Sequence, residues 1–149
     1  MQTIVNNMSN IWDWIYDRRY DALITNDETR LQMVDFFWQM LSILEDNPEL
    51  ALQYGAQARR IAELLDDKWF VQLINHWELQ TRYSYLGDYT GTLDLAAKSA
   101  VEVRLPEYKN FPQRVCIHED LISAYAQQDP IGNRDRVQQS LDYMEKEVN

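Results

Sequence analysis

Tyr83-Ser84-Tyr85-Leu86-Gly87-Asp88-Tyr89, followed by Thr92, Ala96 and Ser99, carries the clearest architectural signal in this 149-residue chain. An aromatic helix face runs into Gly87-Asp88, a pair that makes a tight interhelical turn. The small residues behind it stand at i, i+4 and i+7, on one face of the next helix. Small side chains there let a neighbouring helix come in at the short end of the usual range of about 8–10 Å. Ala51, Gly55 and Ala58 show the same spacing earlier, and Val137, Leu141 and Met144 repeat it with larger residues. The helices in front also repeat. His76, Leu79 and Tyr83 match His118, Leu121 and Tyr125 at an offset of 42 residues (118 − 76).

Outward from this stretch, the apolar spacing is helical almost throughout, and no segment alternates cleanly as a strand would. The spacing predicts seven helices in one domain over 1–149: a leading helix over about 8–24, then pairs within 28–65, 68–104 and 112–148. Thr25-Asn26-Asp27, Asp46-Asn47-Pro48, Asp66-Asp67, Leu105-Pro106 and Asp129-Pro130 supply the breaks. The connections are short, which makes sequential helices antiparallel neighbours. Only four Gly and four Pro occur, too few turn breakers for an all-β sandwich or barrel of this length.

On these residues the chain resembles the tetratricopeptide repeat family. The aromatic run, the Leu86-Gly87-Asp88-Tyr89 turn and the small residues Thr92, Ala96 and Ser99 carry the resemblance, and Ala51, Gly55 and Ala58 match an earlier repeat. Pro106 sits near where that family often ends a repeat. The resemblance spans roughly residues 28–148 and implies an all-α, right-handed solenoid of three helix pairs, with the first helix as a leading cap. The sequence departs from the family in its longer period, about 41–45 residues against the family's usual 34 or so. It also has bulky residues in the third pair, so the chain is tetratricopeptide-like. The resemblance implies a non-catalytic module that binds a protein or peptide. Longer-helix variants in bacterial regulators imply the alternative of a domain that senses a ligand or peptide.

Composition narrows the partners. Fourteen Lys and Arg against 24 Asp and Glu leave a net charge of −10, which argues against nucleic acid and against anionic membrane surfaces. A single cysteine, Cys116, allows no internal disulfide, and the N-terminus has neither a basic start nor a long apolar run, so a reducing cytoplasmic setting is expected. A carboxylate or metal enzyme is the remaining class. His76 and His118, with Cys116, Glu78, Glu119 and Asp120 nearby, are its only candidates. No Glu-x-x-His or His-Glu-x-x-His spacing occurs, so no metal or cofactor is expected and the two histidines read as equivalent structural positions in the repeat. Cys116 and His118, two apart on a helix, point about 200° from each other and cannot act as nucleophile and base.

In the family the first helices of successive pairs line the concave face. By position this gives Trp77, Thr81 and Tyr85, then Glu119, Ser123 and Gln127 at the same offset, and Asp35, Gln39 and Ile43 on the second helix; a shift of one residue would give Phe36, Met40 and Leu44 instead. Such a groove is aromatic, polar and acidic. It suits a segment with basic and apolar side chains and offers no clamp for a C-terminal carboxylate. Val137, Leu141, Tyr143 and Met144 would leave an apolar strip on the last helix, to be covered by another copy or by further repeats of a longer array; self-association, as a homodimer through that helix, is the expectation.

Overall fold

A computed structural model describes residues 11–148; residues 8–10 of the expected leading helix lie outside them. Among the described residues the chain is all-helical and contains no strand. We label the helices α1 (Ile11–Ile24), α2 (Glu28–Ile43), α3 (Pro48–Leu64), α4 (Lys68–Thr81), α5 (Tyr89–Glu102), α6 (Arg114–Gln128) and α7 (Arg134–Val148). No described helix is long and apolar enough to cross a membrane.

Side-chain caps start most of these helices. Asp27, Asn47, Asp67 and Asp88 each accept the backbone N–H three residues on, from Arg30, Leu50, Phe70 and Gly91. Each cap satisfies an otherwise orphaned donor and contributes roughly 1 kcal/mol. Asn26 and Asp66, just before two of the caps, take positive φ (54° and 53°), a conformation that short polar side chains tolerate. α4 ends differently. It runs on through a π-helical turn, Arg82–Leu86, and stops at Gly87, whose φ of 65° makes glycine the fitting residue there.

The second helices of the three pairs share a 41-residue interval. Asn47, Asp88 and Asp129 sit at that spacing (88 − 47, 129 − 88), and each side chain accepts the backbone N–H three residues on; Asn47 and Asp88 cap α3 and α5, while Asp129, at the end of α6, bonds the Gly132 N–H in the turn before α7. Ala51, Thr92 and Asn133 donate their backbone N–H to the carbonyls of Asn47, Asp88 and Asp129 respectively. The inward faces keep the register: Ala51, Gly55 and Ala58 are buried on α3, Thr92, Ala96 and Ser99 on α5. On the third pair the positions that face inward are Asn133, Val137 and Ser140, with Asn133 and Ser140 buried. This corrects the expected set of Val137, Leu141 and Met144. Leu141 is 44% exposed, and a small residue, Ser140, stands where the spacing alone placed a bulky one.

Packing runs mainly between sequence neighbours, and α4 also packs on α6. The α2/α4 seam holds the centre of the core, where Phe37 meets Phe70 edge-on at 5.5 Å among buried Met33, Val34, Leu73 and Ile74. α2 lies between α3 and α1. Its Phe36 and Met40 face Tyr54 and Gly55 of α3, while its Trp38 and Asp35 face Trp12 and Arg19 of α1. α1 also reaches α4, with Trp14 against Trp69 and Phe70 and Arg18 on Asp67. The leading helix is therefore laid across two first helices.

The segment between α5 and α6 is structured. A 3-10 turn at Pro106–Tyr108 buries Tyr108 and Phe111, and Trp69 Nε1 donates to the Glu107 carbonyl at 2.9 Å. α6 begins at Arg114, so Pro112 precedes the helix instead of lying in its first turn.

At Gly55 an added Cβ would stand 2.9 Å from Met40 Sδ, closer than van der Waals contact allows. Gly55→Leu is expected to destabilise the protein by about 1–3 kcal/mol through overpacking. Met40→Ala in the same chain should restore part of that loss. Urea denaturation of both single variants and the double variant checks this, since strictly additive losses would mean that the two sites do not press on each other.

Candidate functional site: an aromatic cleft between α1, α2 and α4

The start of α1, the end of α2 and the end of α4 meet around an open cleft of about 410 Å³. Trp12, Leu41, Ser42, Leu44, Trp77 and Tyr85 line it together with two carboxylates, Glu45 and Asp46. Its aromatic wall is continuous. Trp12 stacks on Trp38 at 5.7 Å with the rings 19° from parallel, Tyr16 meets Trp38 at 5.5 Å, and Trp77 meets Trp12 at 6.1 Å. Trp12, held by Trp38 and Trp77, costs little entropy to present yet remains 40% exposed, and Tyr85 is 43% exposed.

The acidic edge is built at a helix end. α2 finishes at the Leu44 cap with no basic residue in its last turn, so the negative end of its dipole lies beside Glu45. Asp46 precedes the α3 cap Asn47 and has the positive end of that helix to offset it; Glu45 does not. The Tyr85 hydroxyl donates to Glu45 Oε1 at 3.5 Å. Among the described residues neither carboxylate forms an ion pair. Trp77 Nε1 is shielded from solvent and has no hydrogen-bond partner, an arrangement that costs about 1–3 kcal/mol.

The structure brings Trp77 and Tyr85 together in this cleft and scatters the other expected groove residues. Thr81 is fully buried and its hydroxyl donates to the Trp77 carbonyl, so it offers no surface to a partner. Asp35 is half-buried against Arg19, and Gln39 is exposed one turn before the end of α2. Met40 and Leu44 of the alternative register are buried. Ser123 lines a separate recess of about 100 Å³ with Gln80, Tyr83 and Asp120, while Glu119 and Gln127 are exposed on α6. Sequence reasoning marked Trp12 and Trp38 among rings that cannot all be buried but did not place them in the groove, and it passed over Glu45 and Asp46. The available signal was that Trp12 and Trp14, like Phe36, Phe37 and Trp38, cannot all face one core.

The two histidines are not equivalent. His76 Nδ1 lies 2.6 Å from Asp120 Oδ2, and Gln80 Nε2 donates to Asp120 Oδ1 at 2.6 Å, a buried link from α4 to α6. His118 faces α7, its ring 4.3 Å from that of Tyr143, with neither ring nitrogen hydrogen-bonded. The 42-residue offset placed them on like helices, but α4 has a further first helix beside it and α6 does not. Cys116 is half-buried, and burial first, then Glu119 and Asp120, push its thiol up to about 11, so no thiolate forms near neutrality. Among the described residues no three His, Cys, Asp or Glu converge as metal ligands. On α7, Leu141 is exposed, Val137 and Met144 are half-buried, and Tyr143 lies under the Arg104 guanidinium at 4.6 Å, which leaves a narrower apolar strip than the spacing implied. Comparison with family models, curated proteins and solved structures gives no match.

Burial, then the Arg104 and Arg114 charges, lower His118 from 6.5 to about 4. The unfolded chain therefore takes up this proton first. Stability from the neutral ring is complete above about pH 6.5 and drains away as pH falls toward 4. Between pH 7 and 5 the loss is expected to reach roughly 2 kcal/mol. Urea denaturation across that interval, compared with His118→Phe, checks it: the variant should lose most of this slope.

Proposed function

We propose that the chain is a tetratricopeptide-like helical-repeat module that binds a protein segment without catalysis, using the face around Trp12, Trp77 and Tyr85. The observation that carries this reading is the cleft itself: half-exposed aromatic rings on rigid helices beside unpaired carboxylates. Aromatic anchors of this kind dominate binding energy at protein interfaces. The 41-residue interval of Asn47, Asp88 and Asp129, each bonding the N–H three residues on, and of the inward-facing positions supports the solenoid part of the reading.

The α2/α4 face also accommodates a helix in cis. α1 lies on it with Trp14 and Ile15 buried and Arg18 paired to Asp67. An apolar segment that brings an arginine to a carboxylate is thus the kind of chain this face holds. The competing reading, a sensor for a small ligand, calls for an enclosed, dry, apolar pocket. The aromatic cleft is open and edged by two carboxylates, which favours a segment over a small apolar molecule. Arg82 pairs with Glu78 and Asp88, which leaves it no part in a carboxylate clamp.

Trp12→Ala with Tyr85→Ala removes the most exposed part of the wall and leaves buried Phe37 and Phe70 in place. Affinity for a partner captured from source lysate is expected to fall by at least about thirtyfold, or ~2 kcal/mol, with helicity unchanged by circular dichroism. Undiminished capture by the folded double variant would remove the cleft from the interface.

A further inference from the structure

Resting on that reading, we infer that the cleft between Trp12, Trp77 and Tyr85 receives an arginine side chain of the bound segment, its guanidinium against the indole wall and its charge on Glu45 and Asp46. Three observations converge on this chemistry. The first is charge: the cleft holds two carboxylates and no Lys or Arg lines it. Glu45 in addition lies at the negative end of α2 with no basic residue in the last turn, so a cation there relieves an existing repulsion.

The second is shape. The wall is open and made of flat rings: Trp12, 40% exposed, stacks on Trp38 at 19°, and Trp77 stands tilted 43° to it. A planar guanidinium stacks on such a surface and meets a carboxylate with two parallel N–H bonds. An ammonium group is a compact, strongly hydrated charge that gains most from an enclosing cage, which an open wall does not form. The Tyr85 hydroxyl lies 3.5 Å from Glu45 Oε1, which sets the carboxylate beside the ring wall.

The third is internal precedent on the same face. Arg18 of α1 lies with its guanidinium carbon 4.3 Å from the centre of the Trp14 ring, while its terminal nitrogen meets Asp67 at 2.7 Å. The chain therefore already solves this recognition problem once between α1 and α4. The cleft offers the same three parts, ring wall, carboxylate and flanking apolar side chains (Leu41, Leu44), without the arginine.

The test uses the full chain labelled with 15N and the blocked peptide acetyl-Leu-Arg-Leu-amide, with a counterpart in which citrulline replaces arginine. Citrulline keeps the shape and loses the charge. The arginine peptide is expected to shift the indole N–H resonances of Trp12 and Trp77 saturably and to leave Trp69 unmoved. The citrulline peptide should bind at least tenfold more weakly, and Glu45→Gln with Asp46→Asn should abolish that preference. Asp94→Asn with Asp135→Asn, which removes the same charge from exposed positions elsewhere, should keep it. Equal binding of the two peptides overturns the arginine assignment while leaving a segment-binding cleft. Absence of any Trp12 and Trp77 shift also overturns it, and the capture experiment with Trp12→Ala and Tyr85→Ala then decides separately whether this face binds a partner at all.

Discussion

Close approach of α3 and α5 to their neighbours is the constraint on which the remaining structure rests. Ala51, Gly55 and Ala58, then Thr92, Ala96 and Ser99, present almost no side chain inward, so the opposing helix must supply the volume. Met40 fills the space over Gly55, and Ile74 lies next to it. Once large residues of α2 and α4 are committed to that side, their opposite faces have to be covered by something else. α1 does this with large aromatic rings, and because Trp12 reaches both Trp38 and Trp77 the cover ends in a wall of indoles. The cleft is thus a product of how the core divides its large and small residues between helices.

The excess of acid is spent unevenly. Asp67 is buried and takes both Arg18 and Arg30 besides the Phe70 N–H, Glu78 takes Arg59 and Arg82, and Asp120 takes His76 and Gln80. Asp67 and Asp120 tie together helices that are not consecutive, Glu78 ties α4 to its neighbour α3, and each is well satisfied, as burial requires. Among the described residues Glu45 and Asp46 meet no cation, and Glu45 has only the Tyr85 hydroxyl at 3.5 Å. Their position beside exposed aromatic rings sets them apart from the structural acids.

Most helices were legible because their periodicity and caps are local properties. Asp27, Asn47 and Gly87 mark boundaries within their own turns, and the small-residue spacing identified the inward faces of α3 and α5. What could not be read depended on distant partners. The 105–113 segment looked like a loop, yet Tyr108 and Phe111 are core residues because Trp69, far away in sequence, packs on one and bonds the backbone beside the other. α7 was placed one turn out of register because Val137, Leu141 and Met144 satisfy the same spacing as the true inward set, and an apolar pattern alone cannot choose between them. Trp12 entered the site only through the placement of α1 across α2 and α4, which is a tertiary fact.

The groove residues Trp77, Thr81 and Tyr85 show the same limit within a single helix. Spaced four apart, they drift steadily around an ordinary α-helix, and the expected stripe would carry Tyr85 well away from Trp77. Thr81 is indeed turned into the core. The π turn that follows closes on Gly87 N–H to the Arg82 carbonyl, five residues back. Such a turn takes one more residue to close, so each residue advances through a smaller angle and Tyr85 falls back toward the face of Trp77. Arg82 strengthens this turn by bonding Glu78 before it and Asp88 after it. A local widening of the helix, held by one arginine, thereby returns a tyrosine to the aromatic wall that regular helical geometry would have withdrawn.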